Sequence, residues 1–220
     1  AMKKAIARLP LGDKVTFSGA VPGEEVATFL SNRRKSDALK QNRLYEMLVC
    51  DPDYIDAYGL QLVAGRGFSE DYGDDVNKLV VNESAVRNLG IASNEEALGE
   101  EIEVECTDAP MQIIGVVKDY HQQALNKNYT PIMLIHKDKI GWLPQRYISI
   151  VMKSGDPKEL VSQVEEIWHR YFEDSSYDFF FLDQFFDHQY RQDEVFGVMI
   201  GCFTGLAIFI SCLGLWVLVM

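Results

Sequence analysis

The sequence is short of the residues from which catalytic and metal sites are built. It has four histidines and four cysteines in 220 residues, and no two cysteines take the C-x-x-C spacing of a redox or zinc motif. No G-x-x-x-x-G-K-[ST], H-E-x-x-H, G-x-S-x-G or G-x-G-x-x-G string occurs, which excludes the loops that cradle nucleotide phosphates, hold zinc between helical histidines or raise a nucleophilic serine. Basic charge is also scarce: 21 Lys and Arg face 33 Asp and Glu, for a net charge of -12. A groove that tracks nucleic-acid phosphates needs the opposite balance, so nucleic acid is excluded as a partner. The chain nevertheless has 47% apolar and 25% charged residues, the composition of a folded protein with a sizeable core.

Charge and proline are missing altogether from the last 26 residues, 195–220. A helix of that length rises about 39 Å against a hydrocarbon slab of about 30 Å, so the segment is expected to cross a membrane. Gly197, Gly201 and Gly205 recur every four residues and would let a second membrane helix approach closely. No glycine or proline separates 195 from the amphipathic stretch before it, and a continuous stalk helix is expected over 183–194. The start, Ala-Met-Lys-Lys, precedes no apolar run. The abrupt ends suggest a piece of a longer membrane protein.

Short apolar runs bounded by turn residues predict strands at 15–17, 44–50, 79–81, 102–104, 113–117, 132–135, 148–152 and 179–182. The strict alternation at 102–105 marks a half-buried strand, with 111–117 as its antiparallel partner. Asp156-Pro157-Lys158-Glu159 opens a helix whose apolar face is Leu160, Val161, Val164, Ile167, Trp168, Tyr171 and Phe172. With the strands on either side, 148–182 has the form of a βαβ unit. Asn82 and Gly90 bound a second, shorter helix. Segment 19–43 reads as a loose helix or polar excursion, with Arg33-Arg34-Lys35 as a solvated face. The class is mixed α and β (α+β), with a β-rich unit inserted between two α/β pieces.

Two groups of side chains are candidates for chemistry. Asp51, Asp53 and Asp56 cluster, but they lack the glycine and distal glutamate of a calcium loop and read as turn and cap residues. Asp119 and His121 follow a strand and could form an acid/base or metal pair, yet no third ligand lies near in sequence. A hydrogen bond at a strand end is favoured. Cys50 and Cys106 read as free thiols, with a bridge between them open in an oxidising compartment. On these residues alone the protein is not an enzyme.

Six strings in order, AGRGFS at 64–69, VVNESAVRNLG at 80–90, ALGEEI at 97–102, IIGVVKDYH at 113–121, FFFLDQFF at 179–186 and LAIFISCLGL at 206–215, resemble the MacB-like periplasmic core domain of FtsX-type ABC transporter permeases. The likeness runs from about residue 44 to the end and is greatest to permeases of Bacteroidetes, where the domain can occur twice in a chain. It implies a discontinuous α/β subdomain (1–63 and 131–182), an inserted β-rich subdomain (64–130), the stalk (183–194) and one transmembrane helix (195–220). It further implies residence in the inner membrane with 1–194 facing the periplasm. No cofactor is expected in this chain, since ATP would be used by a partner ABC ATPase subunit. A second permease copy and a periplasmic adaptor or outer-membrane partner complete the expected assembly. The domain would carry no catalytic residue and would pass ATP-driven movement across the membrane to drive export or release of a substrate. Gly65, Asn82, Glu83, Gly99, Gly115 and Asp119 would be the structural residues of the family motif. Two other readings stay open: the sensory ectodomain of a membrane-anchored receptor, and an anchored metal enzyme using Asp119 and His121.

Overall fold

The structure is a computed structural model that describes residues 2–37, 41–123, 128–153 and 155–219, excluding the side chains of 187–195, 197, 212–214 and 216–220. Residues 1–177 form one compact unit and 178–220 a second.

In the first unit, among the described residues, nine strands share one sheet: β1 (Gly12–Ser18), β2 (Phe29–Arg34), β3 (Arg43–Cys50), β4 (Leu62–Gly65), β5 (Lys78–Asn82), β6 (Glu101–Val104), β7 (Met111–Val117), β8 (Ile132–His136) and β9 (Tyr147–Met152). Strand β3 pairs with β2, β2 with β6, β6 with β7, β7 with β5, β5 with β8, and β8 again with β3. Six strands therefore close into a ring, and closure satisfies edges that would otherwise be exposed. Its interior is one apolar cluster that includes Leu30, Tyr45, Met47, Val49, Leu79, Val81, Ile102, Val104, Met111, Ile113, Met133 and Ile135. The residues alternate along each strand as the two-residue side-chain period requires.

The outer faces of β3, β5 and β8 are also covered. Leu48, Val80, Ile132 and Leu134 pack under Ala20, Val26 and Phe68, together with Tyr54 and Ile55 of α2 (Tyr54–Ala57). A flanking layer consists of β1 and β9, paired antiparallel from Gly12↔Met152 to Ser18↔Tyr147. On it lie α1 (Met2–Ile6) and α4 (Pro157–Tyr171), through Met2, Ile6, Leu160, Val164 and Ile167. Asp156 caps α4 by accepting from the Lys158 N–H at 2.9 Å. The remaining helix of this unit, α3 (Glu83–Asn88), follows β5 directly.

Seven expected strands appear, and 102–104 does pair antiparallel with 111–117 through Ile102↔Met111. Segment 179–182 is not a strand: Phe179 to Phe181 precede α5 (Leu182–Val219) without ladder pairing. The βαβ reading of 148–182 is corrected accordingly; an uninterrupted apolar run does not distinguish a strand from the lead into a helix. The excursion expected at 19–43 contains β2, whose Leu30 and Asn32 point into the ring. Tyr171 and Phe172, expected on the buried face of α4, are each 44% exposed, and the Phe172 ring packs on Trp168 at 4.8 Å.

The second unit is helical without interruption from Leu182 to Val219. Among the described residues no helix is long and apolar enough to cross a membrane.

Candidate functional site

The six residues expected to carry the family motif, Gly65, Asn82, Glu83, Gly99, Gly115 and Asp119, gather around β7. At its middle, Gly115 pairs with Gly65 at the end of β4, and the Arg66 N–H donates to the Ile114 carbonyl at 3.0 Å. A methyl group on Gly115 would lie 2.1 Å from the Arg66 carbonyl oxygen, and one on Gly65 would lie 2.2 Å from the Ile114 oxygen. Two backbones cross here with no room for a side chain. Gly65 also sits at φ +68°, in the left-handed region. On the neighbouring residue of β7, the Gly99 N–H donates to the Ile113 carbonyl at 2.9 Å.

Past the end of β7 the chain meets α3. Asn82 caps the helix: its Oδ1 accepts from the Ala85 N–H at 2.9 Å and the Ile132 N–H at 3.0 Å, while its Nδ2 donates to the Thr130 carbonyl at 2.8 Å. One buried amide thereby joins β5, α3 and the start of β8. Glu83 accepts from the Asp119 N–H at 3.2 Å and from Asn94 Nδ2 at 3.2 Å. Asp119 accepts from the Ser84 N–H at 2.8 Å, Ser84 Oγ at 2.9 Å and Arg87 Nη2 at 2.5 Å. These oxygens are engaged in holding backbone and neighbouring side chains. His121 is engaged separately, with its ring 4.6 Å from that of Tyr129. Asp119 and His121 therefore work with different partners. Among the described residues no group of three His, Cys, Asp or Glu is placed to hold a metal.

Asp51, expected at a turn, has a fully buried side chain. Its Oδ1 accepts from Thr16 Oγ1 at 2.5 Å, and its Oδ2 pairs with Lys3 Nζ, which also pairs with Asp53. Burial works to lower the Lys3 ammonium, and the Asp51 and Asp53 carboxylates outweigh it and hold it above its ordinary value. Asp53 occupies the cap position of α2 without a side-chain hydrogen bond to the helix, and Asp56 pairs with Lys14 at 2.7 Å. Cys50 is buried and Cys106 exposed, both as free thiols; burial pushes the Cys50 thiol well up. The open bridge between them is thus not formed.

Sequence reasoning missed two charged groups. Arg66 forms two 2.7 Å hydrogen bonds to buried Asp75, holding its carboxyl below the usual range. The run Arg33-Arg34-Lys35 pairs with Glu103, Glu100 and Glu101 on or beside β6. The strict Ile102-Glu103-Val104-Glu105 alternation was a signal for the acidic side of that seam; its basic partner lies about 70 residues away by chain. A cleft of about 480 Å³ opens beside the seam, lined by Ser31, Arg33, Asn42, Glu105, Cys106 and Asp108 among others. Its Arg33 is paired with Glu103, and its Glu105 accepts from the Ser31 N–H at 3.0 Å.

The chain that builds this ring and its flanking layer matches a known family. The model of the MacB-like periplasmic core domain matches residues 4–167, and the chain belongs to that family. The match takes in residues 4–43, which the likeness drawn from the strings left out, and stops before the strings at 179–186 and 206–215. No curated protein matches. Among solved structures, the periplasmic region of MacB from Actinobacillus actinomycetemcomitans is similar at TM-score 0.55 and 17% identity, over 77% of this chain and 72% of that one. The extracellular domain of the noncanonic ABC-type transporter YknZ from Gram-positive bacteria gives 0.58 and 14%, over 78% and 82%. A domain of a putative permease protein from Porphyromonas gingivalis gives 0.54 and 20%, over 76% and 68%. At these identities the likeness is one of fold.

Proposed function

We propose that this chain is the extracytoplasmic domain of an ABC-type transporter permease together with the start of its membrane anchor. The family match over 4–167 carries the reading, and solved domains of MacB and of the ABC-type transporter YknZ with the same fold support it. In this reading 195–220 crosses the inner membrane and 183–194 is the stalk. The support is the absence of any charged residue from 195–220 on a backbone that stays helical from Leu182 to Val219. Helix 182–219 is about 57 Å long at about 1.5 Å per residue, and its apolar character in this reading comes from the sequence of 195–220, several of whose side chains lie outside the described residues. A methyl group built on Gly201 or Gly205 would meet nothing, which leaves room for a second membrane helix; Gly197 lies outside the described side chains.

The domain binds no ATP and performs no chemistry of its own. A separate ABC ATPase subunit hydrolyses ATP, a second permease copy completes the unit, and movement passes along the stalk to a domain outside the membrane that handles the substrate with an adaptor or outer-membrane partner. Residues 64–130 supply β5, β6 and β7, which close the ring with β2, β3 and β8, and the six expected motif residues set its shape. Membrane topology tests this reading. Reporter fusions in the intact protein should place 1–194 outside and find one span before the domain and three after it. A cytoplasmic signalling module directly after residue 220 would instead establish a receptor.

A further inference from the structure

The ring and the flanking layer are joined narrowly. Strands β1 and β3 share one register pair, Ser18↔Cys50, against the six pairs of β1 with β9. Two backbone hydrogen bonds extend the joint: the Gly19 N–H to the Val49 carbonyl at 2.8 Å and the Asp51 N–H to the Phe17 carbonyl at 3.0 Å. The charged group at the joint with a fully buried side chain is Asp51, at the end of β3; the Lys14–Asp56 pair between β1 and α2 is more exposed. Its buried carboxylate takes its proton donors from the flanking layer, Thr16 Oγ1 on β1 and Lys3 Nζ on α1. Asp53, one residue before α2, adds a second carboxylate to the same ammonium. Helix α1 is in turn seated on α4 through Met2 and Ile6.

We propose that Lys3 and Asp51 form an ionic latch that locks the flanking layer to the ring, and that it is the joint through which movement entering at either end of the domain reaches the ring. The second clause rests on the transporter reading above; the first does not. Both α1, at the start of the chain, and α4, from which the chain continues toward α5, belong to the flanking layer. A displacement arriving from either direction therefore meets the layer first. It reaches the ring across the β1–β3 joint, where a one-pair ladder has little stiffness and the latch supplies it. A buried carboxylate that loses its cation is left uncompensated, so the latch is strong when closed. Lys3 is partly exposed, so it can release without unfolding the ring.

Hydrogen exchange on the full chain separates the two clauses. In Lys3→Met the amides of Gly19 and Asp51 should exchange on the order of tenfold to a hundredfold faster, while those of β5 and β8 keep their rates. Asp51→Asn should do the same, and adding Lys3→Met to it should produce little further change. Unchanged exchange at the joint, or a uniform rise throughout the ring, would overturn the latch. In the assembled transporter Lys3→Met should leave ATP hydrolysis running while substrate release falls. Release that stays coupled, in a variant whose joint exchanges faster, would keep the latch and refute its place in transmission.

Discussion

Two sides of the same ring are built by different means. The wall of β3, β8 and β5 is apolar on both faces, with Met47, Met133 and Val81 inside and Leu48, Leu134 and Val80 beneath α2 and its neighbours. The seam of β2 and β6 is apolar only inside. Its outer face holds Arg33 against Glu103, with Arg34 against Glu100 and Lys35 against Glu101 at its end. Each large aliphatic side chain fully buried contributes about 1.5–3 kcal/mol, whereas an exposed ion pair contributes about 0–1 kcal/mol. The wall therefore bears the stability of the ring, and the seam closes it at little gain. That asymmetry predicts large effects on the wall side and small, salt-sensitive ones at the seam.

The largest effect is expected at Gly115. Gly115→Val drives a side chain into the Arg66 carbonyl, 2.1 Å from the first added carbon, and backbone on both sides cannot yield. A loss of more than about 4 kcal/mol is expected, read as failure to fold or loss of the thermal transition. Gly99→Ala is the control. It has the left-handed backbone that Gly115 lacks, φ +89°, but its added methyl would meet nothing closer than 3.7 Å, and about 1–2 kcal/mol is expected. Equal losses would show that the crossing of β4 and β7 yields to a side chain at no more cost than backbone strain alone. Asn82→Ala comes next at about 2–3 kcal/mol. It strips the cap from α3 and leaves the Ile132 N–H and the Thr130 carbonyl without their side-chain partner, all at the end of the wall.

These two positions also show how far the sequence could be read. The wall strands were legible because burial on both faces writes an apolar run into the chain, as at 44–50 and 132–135. The cap at Asn82 was legible because capping is local. Strand β2 was not: Ser31, Asn32, Arg33 and Arg34 carry neither an apolar run nor a clean alternation, and the carboxylates that pair with them lie about 70 positions on. Lys3 on Asp51, 48 residues apart, was hidden for the same reason, so the aspartate read as a turn residue. The glycines at 65 and 115 could be marked by family resemblance, but their mutual contact is a property of the folded sheet.

A pH titration tests the wall at a finer scale. His136 ends β8, and burial holds its imidazole below the ordinary value despite nearby Asp138. The unfolded chain then takes up the proton first as pH falls, so stability present above about pH 6.5 is lost below it. Asp75, held low by Arg66, loses its contribution in the same direction but only in the acid range of carboxylates. His136→Gln should flatten the melting temperature between pH 7.5 and 5.5 and leave the acid limb in place. A slope that persists in this variant would assign it to another group. At the seam, Arg34→Ala should cost about 0.5 kcal/mol in low salt. The difference should vanish near 1 M salt, where the screening length is about 3 Å.

The smallest effect is expected inside the seam, at the one polar side chain among those of β2 that turn inward. Asn32 is fully buried, and its Nδ2 faces the sulfurs of Met47 and Met133 at 3.2 and 3.5 Å, both weak acceptors. Its Oδ1 takes the Glu105 N–H at 3.4 Å, but that N–H also reaches the Ser31 carbonyl at 3.2 Å. Removing the amide thus orphans no backbone group, and two thioethers lose nothing by facing a methyl. Asn32→Val should change stability by less than about 0.5 kcal/mol in either direction. A loss as large as that of Asn82→Ala would show that the seam is held from within by its one amide, and that the ion pairs outside it only follow.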